Sequence, residues 1–199
     1  MRAARGKTKA AILEEGMKLF ARDGYAGASM SELARRVGVR KASLYAHYQG
    51  KKEIFRGVFT LVLERYSAHL GRILPAADPG APMQDRLSAV FSGYAGYFSD
   101  ADAMSFWYRV YMTPPAFMKG EIYRKSLAVE LRFLRRLTRL FRDAMASKEC
   151  RKQNPGHVAT AFYQLLMGFG MAAAFYPSMN TQRAIRESVS VFWRGVGPG

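Results

Sequence analysis

The sequence contains a single cysteine, Cys150, and few acidic residues, since 15 Asp and Glu stand against 31 Lys and Arg. One cysteine excludes an intrachain disulfide and favours a reducing compartment, so we expect a cytoplasmic protein. The shortage of acidic side chains leaves a net charge of +16. Such a charge favours a polyanionic partner, most often nucleic acid and less often an anionic membrane surface.

Long apolar runs are also lacking. The longest run, residues 165–176, is interrupted by glycines and is shorter than the roughly 20 residues that span a bilayer. The basic N-terminus leads into a segment that contains Glu14 and Glu15, which is not the pattern of an export signal. We therefore expect no membrane partner.

Motifs typical of enzymes are missing too. The three histidines are scattered, and no nucleophile elbow, phosphate-binding loop or paired metal-ligand spacing occurs. Gly168, Gly170 and Ala173 follow the order of a dinucleotide fingerprint, but no strand pattern precedes them. Cations near Cys150 would favour a redox-active thiolate, although an inert exposed thiol is the commoner fate. We predict a protein that is not an enzyme and that uses neither cofactor nor metal.

Helical patterns run through the whole chain, and no alternating strand pattern of convincing length is present. Ser29 and Glu32 have the spacing of a capping box, and Gly38 follows as a helix stop. The segment at residues 75–82 is the clearest loop. We predict an all-α fold with helices near residues 7–22, 30–37, 41–48, 51–74, 83–99, 103–112, 117–145 and 155–176, and a last helix that Asn180 or Thr181 caps.

The first third of the chain has about twice the charge density of the rest, because residues 1–65 carry a net charge of +8, as much as residues 66–199. Within this third, two short predicted helices flank a tight turn that contains Gly38, and cations surround the second helix. This is the pattern of a helix-turn-helix, whose second helix enters the DNA major groove while the first crosses the backbone.

The stretch GYAGASMSELARRVGVRKASLYAHYQGKKEIF resembles the N-terminal domain of the tetracycline-repressor (TetR/AcrR) family, and the match covers roughly residues 7–60. The resemblance implies an N-terminal three-helix DNA-binding domain joined by a linking helix to a C-terminal helical domain for dimerisation and ligand binding. We accordingly expect a helix-turn-helix domain at 1–60, with its motif at about 29–48, and an effector-binding and dimerisation domain at 61–199.

Leu44 and Tyr48 lie four residues apart and would anchor the second helix, which leaves its other side free for DNA. Side chains at the start of that helix suit base edges, while other polar groups and the helix N-terminus at Lys51 suit phosphates, as the resemblance also implies. The predicted DNA-binding residues are Ser29, Arg40, Lys41, Ala42, Ser43, Tyr45, His47 and Lys51.

This sequence departs from the family pattern at two of those positions. Arg40 stands where the family usually has a serine N-cap, and Ala42 stands where glycine is common. Losing a serine cap costs about 1 kcal/mol, while the cation gains an attraction to phosphate. Further cations at Arg2, Arg5, Lys7 and Lys9 form either an arm along the DNA or a disordered tail. A packed helical subdomain with a basic solvated surface is the alternative for the whole stretch.

Residues 91–123 hold 10 of the chain's 26 aromatic residues. Such a set either lines an apolar pocket with polar handles from tyrosines or forms ordinary core. We predict an effector site for a small apolar or aromatic molecule, lined by Tyr94, Phe98, Phe106, Trp107, Tyr111 and Phe117. The regular arginine face at residues 132–142 is interpreted as a solvated surface. The opposite side of the same predicted helix is apolar and carries Leu131, Phe133, Leu134, Leu137, Leu140 and Phe141.

Small residues in FYQLLMGFGMAAAFY would let another helix approach closely, and the last helix carries large apolar side chains. Together they predict a homodimer interface of two helices from each subunit. The residues assigned to it are Gly168, Met171, Ala172, Val189, Phe192 and Trp193. A short DNA-reading helix also gains affinity from duplication over two half-sites.

These observations predict a homodimeric, all-helical, ligand-responsive transcriptional regulator that binds a double-stranded DNA operator. We predict a repressor, and the motif together with the aromatic cluster predicts that a small apolar or aromatic molecule releases it from the operator. The alternative is a non-specific architectural DNA-binding protein without a small-molecule effector.

Overall fold

The computed structural model describes residues 2–74, 80–98, 100–175 and 182–198, with side chains described from residue 8 onward except at 173–175. These residues are helical, with no strand among them, which confirms the all-α fold. The helices are α1 Arg2–Gly27, α2 Met30–Val37, α3 Lys41–Tyr45, α4 Lys51–Ile73, α5 Met83–Tyr97, α6 Ala101–Met112, α7 Lys119–Ala146, α8 Pro155–Phe175 and α9 Gln182–Val196.

The chain forms two compact units. Unit 1 contains residues 1–65 and 100–126, and unit 2 contains residues 66–99 and 127–199. The helices α4 and α7 each contribute residues to both units. Residues 100–126 thus pack with the N-terminal segment, a grouping that neither composition nor loop signals indicated.

Unit 1 is built around an aromatic centre that joins α1, α4 and α6. The ring of Phe55 lies 4.9 Å from that of Phe20 and 5.8 Å from that of Phe106. Aromatic pairs at these separations add stability beyond their buried area. The Glu121 carboxylate accepts from Arg56 at 3.0 Å and from Lys125 at 2.7 Å, which ties α4 to the start of α7.

Helix α1 begins at Arg2, five positions before the predicted start. Gly24 interrupts its helical geometry with φ 67° and ψ 179°, a conformation that glycine adopts far more readily than other residues. The side chains of Arg2, Arg5 and Lys7 lie outside the described ones, so the arm stays a prediction.

Two local predictions are wrong. Ser29 is the N-cap of α2, but its side chain makes no capping hydrogen bond. Glu32 instead accepts from Arg35 and Arg36, because the two guanidinium groups lie one turn along the same helix. Leu131, expected on the inner face of α7, is 43% exposed.

Unit 2 has its own aromatic core, which α5, α7, α8 and α9 share. The ring of Phe162 lies 5.9 Å from that of Phe141 and 5.2 Å from that of Phe192. Gly170 allows close packing here, because a Cβ at this position would meet the Phe98 ring at 2.7 Å.

Three sequence predictions concern residues or side chains that the structure does not describe. They are the loop at residues 75–82, of which only 80–82 are described, the cap at Asn180 or Thr181, and the role of Ala173. Within the described residues, no helix combines the length and the apolar character that a bilayer crossing requires.

Candidate nucleic-acid interface

The turn between α2 and α3 is closed by backbone hydrogen bonds. Gly38 lies in the left-handed region with φ 73°, where glycine carries no Cβ penalty. Its N–H donates to Arg35 O at 3.2 Å, and the Val39 N–H donates to Ala34 O at 3.0 Å. These bonds satisfy carbonyls at the end of α2, so the chain can reverse within three residues and begin α3.

Helix α3 has only five residues and is held in place by two buried side chains, as predicted. Leu44 is 0% exposed and Tyr48 4%. The Tyr48 hydroxyl donates to Lys9 O at 3.4 Å, and the Lys9 ammonium lies 5.3 Å from the centre of the Tyr48 ring. Burial raises the pKa of Tyr48 to about 12, so its hydroxyl stays a donor at neutral pH.

The predicted DNA-contacting residues lie mostly on the opposite side of this anchor. Ser29, Arg40, Lys41, Ala42 and Tyr45 are exposed, with Tyr45 at 48%. Ser43 and His47 are half-buried. Arg40 is the N-cap of α3 and makes no side-chain capping bond, so its guanidinium is not committed to the helix end. The assignment of these residues to DNA stays a prediction.

Lys51, by contrast, uses its side chain inside unit 1. Its ammonium donates to Ala26 O at 3.0 Å and lies 4.8 Å from the centre of the Tyr25 ring. Burial lowers the pKa of Lys51. Any role of this position toward phosphate therefore belongs to the backbone at the start of α4, as sequence analysis also suggested. Glu53 accepts from the Gln49 N–H at the same helix end.

The positive charge near α3 is not fully neutralised. Hydrogen bonds from Arg35, and to a smaller extent from Arg36, lower the pKa of Glu32 to about 2. Arg36 also lies 3.7 Å from Glu15 and so connects α2 to α1. Across the described residues, no ion pair involves Arg40 or Lys41, which leaves both cations available to an anionic partner.

The six residues predicted to line an effector site are distributed over both units. Tyr94 and Phe98 lie in unit 2, with ring centres 5.2 Å apart. The other four lie in unit 1, where they pack with α1 and α4 or with each other. They are Phe106, Trp107, Tyr111 and Phe117. The effector site stays a prediction for all six.

The residues predicted for a dimer interface differ in exposure. Gly168 and Met171 on α8 are exposed, and Ala172 is half-buried. Within the single chain Val189 is buried, Phe192 packs against Phe141 and Phe162, and Trp193 contacts Gly197. Among the described side chains of α8 and α9, the large apolar ones that are exposed are Leu165, Met167, Met171 and Val191. The dimer stays a prediction, and α8 has the exposed apolar side chains it requires.

Sequence reasoning missed several groups that shape these units. Lys51 packs on Tyr25, and Arg36 bridges Glu15 and Glu32. The four-residue spacing of Glu32 and Arg36 was a readable signal for their ion pair, whereas the contacts to Tyr25 and Glu15 join distant parts of the chain. Cys150 is buried rather than exposed. Burial raises the pKa of its thiol, which disfavours the thiolate that the neighbouring cations suggested. Among the residues that the structure describes, no three His, Cys, Asp or Glu side chains form a group suited to a metal ion.

Residues 12–58 match the family model described as bacterial regulatory proteins, tetR family. A biofilm operon negative transcriptional regulator, IcaR of Staphylococcus epidermidis, is 40% identical over 45 residues, which cover 23% of this chain and 24% of IcaR. The transcriptional repressor ComR of Escherichia coli is 27% identical over 106 residues, 51% of this chain and 50% of ComR. The matches thus span a quarter to a half of these relatives' lengths.

The fold has close structural counterparts over its full length. A TetR transcriptional regulator from Chloroflexus aurantiacus superposes with a TM-score of 0.75 at 16% identity, and the match covers 100% of both chains. At this identity the likeness concerns the fold alone. The structural match thus extends beyond residues 12–58.

Proposed function

We propose that the chain is a sequence-specific DNA-binding transcriptional regulator of the TetR type and not an enzyme, because its N-terminal helix-turn-helix region matches the model of that family. The observation that carries this proposal is the geometry of α3. Leu44 and Tyr48 fix the helix from the inside, while Arg40 and Lys41 are exposed without a carboxylate partner among the described residues. Such a helix suits the major groove.

Within this proposal the side chains divide by role. Lys41 and Ser43 lie in the first turn of α3, where recognition helices contact base edges. Ser29, Arg40, Tyr45 and His47 suit phosphates and fix the register on the duplex. The high net charge supplies the salt-dependent part of the affinity.

The active form is a homodimer in the cytoplasm, and it acts as a repressor. Two copies of α3 would bind half-sites one helical turn apart, about 34 Å. The repressor assignment is supported by IcaR and ComR, which are named as negative regulator and repressor. Exposed apolar side chains on α8 support the dimer.

A small effector would oppose DNA binding by a population shift. The proposed mechanism is that the effector binds the C-terminal helices and biases the position of α4, which changes the separation of the two copies of α3. Effector and operator then weaken each other's binding by one reciprocal coupling free energy. Aromatic residues near Tyr94 support an effector with apolar surface.

The test begins with an operator selected from random duplexes by the purified protein. Fluorescence anisotropy then compares this operator with a scrambled duplex at near-physiological salt. We expect a preference of about a thousandfold or more. Lys41→Ala and Ser43→Ala should each weaken operator binding by about 1 to 3 kcal/mol and affect the scrambled duplex less.

Lys119→Ala is the matched control, because Lys119 is exposed in unit 1 but lies at the start of α7. It should lose only the small, sequence-independent effect of one charge. Equal and steeply salt-dependent binding of both duplexes would instead identify a non-specific architectural DNA-binding protein.

A further inference from the structure

Unit 2 holds a glutamate that lies among tyrosine hydroxyls. The Tyr163 hydroxyl donates to Glu130 Oε2 at 2.8 Å, and the Tyr66 hydroxyl donates to the same carboxylate. The Tyr66 and Tyr94 hydroxyls are 3.4 Å apart. Helices α4, α5, α7 and α8 therefore each contribute one side chain to a single polar cluster, which we call the Glu130 cluster.

Aromatic rings surround this cluster. Tyr94 lies 5.2 Å from Phe98 and 6.3 Å from Phe133, measured between ring centres. Tyr66 lies 4.9 Å from Tyr97. Tyr66, Tyr94 and Phe133 are buried, whereas Glu130, Tyr163, Tyr97 and Phe98 are half-buried. Glu130 and Tyr163 thus keep part of their surface in contact with solvent.

The carboxylate has no cationic partner among the described side chains, since none of their ion pairs includes Glu130. Arg136, farther along the same helix, donates to Gly71 O at 3.1 Å instead. Burial raises the pKa of Glu130, and the hydrogen bonds from Tyr163 and Tyr66 oppose that rise. A partly buried carboxylate whose hydrogen-bond donors are all uncharged is stabilised when a cation binds next to it.

Aromatic faces provide the rest of a cation site. Ring quadrupoles attract ammonium groups, and aromatic cages are a recurrent means of recognising organic cations. Glu130 supplies the opposite charge, while Tyr97 and Phe98 supply apolar surface for the body of such a molecule.

We infer that the Glu130 cluster binds the effector and that this effector is an organic cation, an ammonium group on an apolar or aromatic body. The inference rests on the proposed function only in naming the occupant an effector. An uncharged molecule would leave the carboxylate of Glu130 without a cationic partner.

The test uses isothermal titration calorimetry on the full-length protein with three probes that share one apolar body, namely phenylbutylammonium, phenylbutanol and phenylbutyrate. We expect the ammonium to bind at least about tenfold more tightly than the alcohol, and the carboxylate to bind least. Glu130→Gln should bring the ammonium and the alcohol to similar affinities. Glu130→Asp should keep part of the preference.

Asp143→Asn is the matched control, because Asp143 is an exposed carboxylate on the same helix. It removes one negative charge and should leave the preference unchanged. Thermal melts verify the fold of each variant, and if a variant does not melt cooperatively, the three probes on the native protein decide the question. The inference is overturned if no probe binds, if the ammonium is not preferred, or if the preference survives Glu130→Gln.

Operator binding measured on the same samples separates this inference from the proposed function. Ammonium preference without operator binding would support the cation site and contradict the regulator. Operator binding without ammonium preference would overturn the cation site alone. If the ammonium binds through Glu130 but leaves operator affinity unchanged, the cation is a ligand and not an effector, and that part of the inference fails.

Discussion

At the scale of single residues, Cys150 has chemistry that its sequence neighbours do not predict. Lys148, Arg151 and Lys152 surround it in the sequence, and such cations lower a thiol pKa when they lie close to an exposed sulfur. In the fold, Cys150 is 4% exposed. Burial, with a smaller contribution from Glu149, raises the thiol pKa and outweighs the opposite effect of Arg86.

We therefore predict that the Cys150 thiol reacts slowly with a disulfide reagent in the native protein. The expected rate at mild alkaline pH is at least about a hundredfold below that in denaturant, because reaction requires local opening. The rate is measured from the absorbance of the coloured thiolate that the disulfide reagent releases. Lys152→Cys, at an exposed position, should add one fast-reacting equivalent. A fast native reaction of Cys150 itself would contradict the burial argument.

At the scale of elements, helix α8 shows that two glycines of one motif can have different roles. Both Gly168 and Gly170 belong to the fingerprint-like pattern in the sequence. A Cβ at Gly170 would lie 2.7 Å from the Phe98 ring, whereas a Cβ at Gly168 would meet nothing within 4 Å. Gly170 thus makes room for a neighbouring side chain of its own unit, while Gly168 lies on the surface.

We predict opposite effects of the same substitution at these two positions. Gly170→Ala should lower the free energy of unfolding by about 1 to 3 kcal/mol, because the added methyl overpacks the contact with Phe98. Gly168→Ala should raise it by up to about 1 kcal/mol, because alanine favours the helix. Urea denaturation of both variants measures the difference.

Each of the two variants controls for the other, since the chemical change and the helix are the same. A loss of stability at Gly168 that depends on protein concentration would indicate a close helix contact across a dimer, as the sequence first suggested. Equal stabilisation of both variants would show that Phe98 moves aside at little cost.

At the scale of the whole molecule, the proposed function depends on association of two chains. The exposed apolar side chains of α8 include Leu165 at 40% and Met171 at 45%. Several such residues on one helix mark an interaction surface more strongly than isolated ones do. A dimer would bury them and hold two copies of α3 at a fixed spacing.

Leu165→Glu is therefore expected to yield a monomer in sedimentation velocity, because a charge buried in the interface opposes association. Operator binding should weaken by at least about tenfold, because a monomer presents only one copy of α3 to the two half-sites. Leu131→Glu is the matched control, with 43% exposure on α7. It should remain dimeric. A dimeric Leu165→Glu variant with full operator affinity would place the interface elsewhere.

Local signals determined most of the helix-turn-helix. Gly38 predicted the turn, because the turn needs a residue in the left-handed conformation and glycine adopts it at low cost. The four-residue spacing of Leu44 and Tyr48 predicted the buried face of α3. The capping box predicted at Ser29 does not form, because Glu32 accepts hydrogen bonds from Arg35 and Arg36 instead. The prediction for Leu131 was wrong because periodicity defines the apolar face of a helix but not how much of that face a neighbouring helix covers.

The sequence by itself determined the helices, the basic character of the N-terminal third and the motif at α2 and α3, because these depend on residues close together in the chain. Only the tertiary structure decided that residues 100–126 pack with the N-terminal segment, that Cys150 is buried and that two tyrosines from other helices donate to Glu130. Those facts depend on contacts between distant segments, and helical periodicity carries no information about which segments meet.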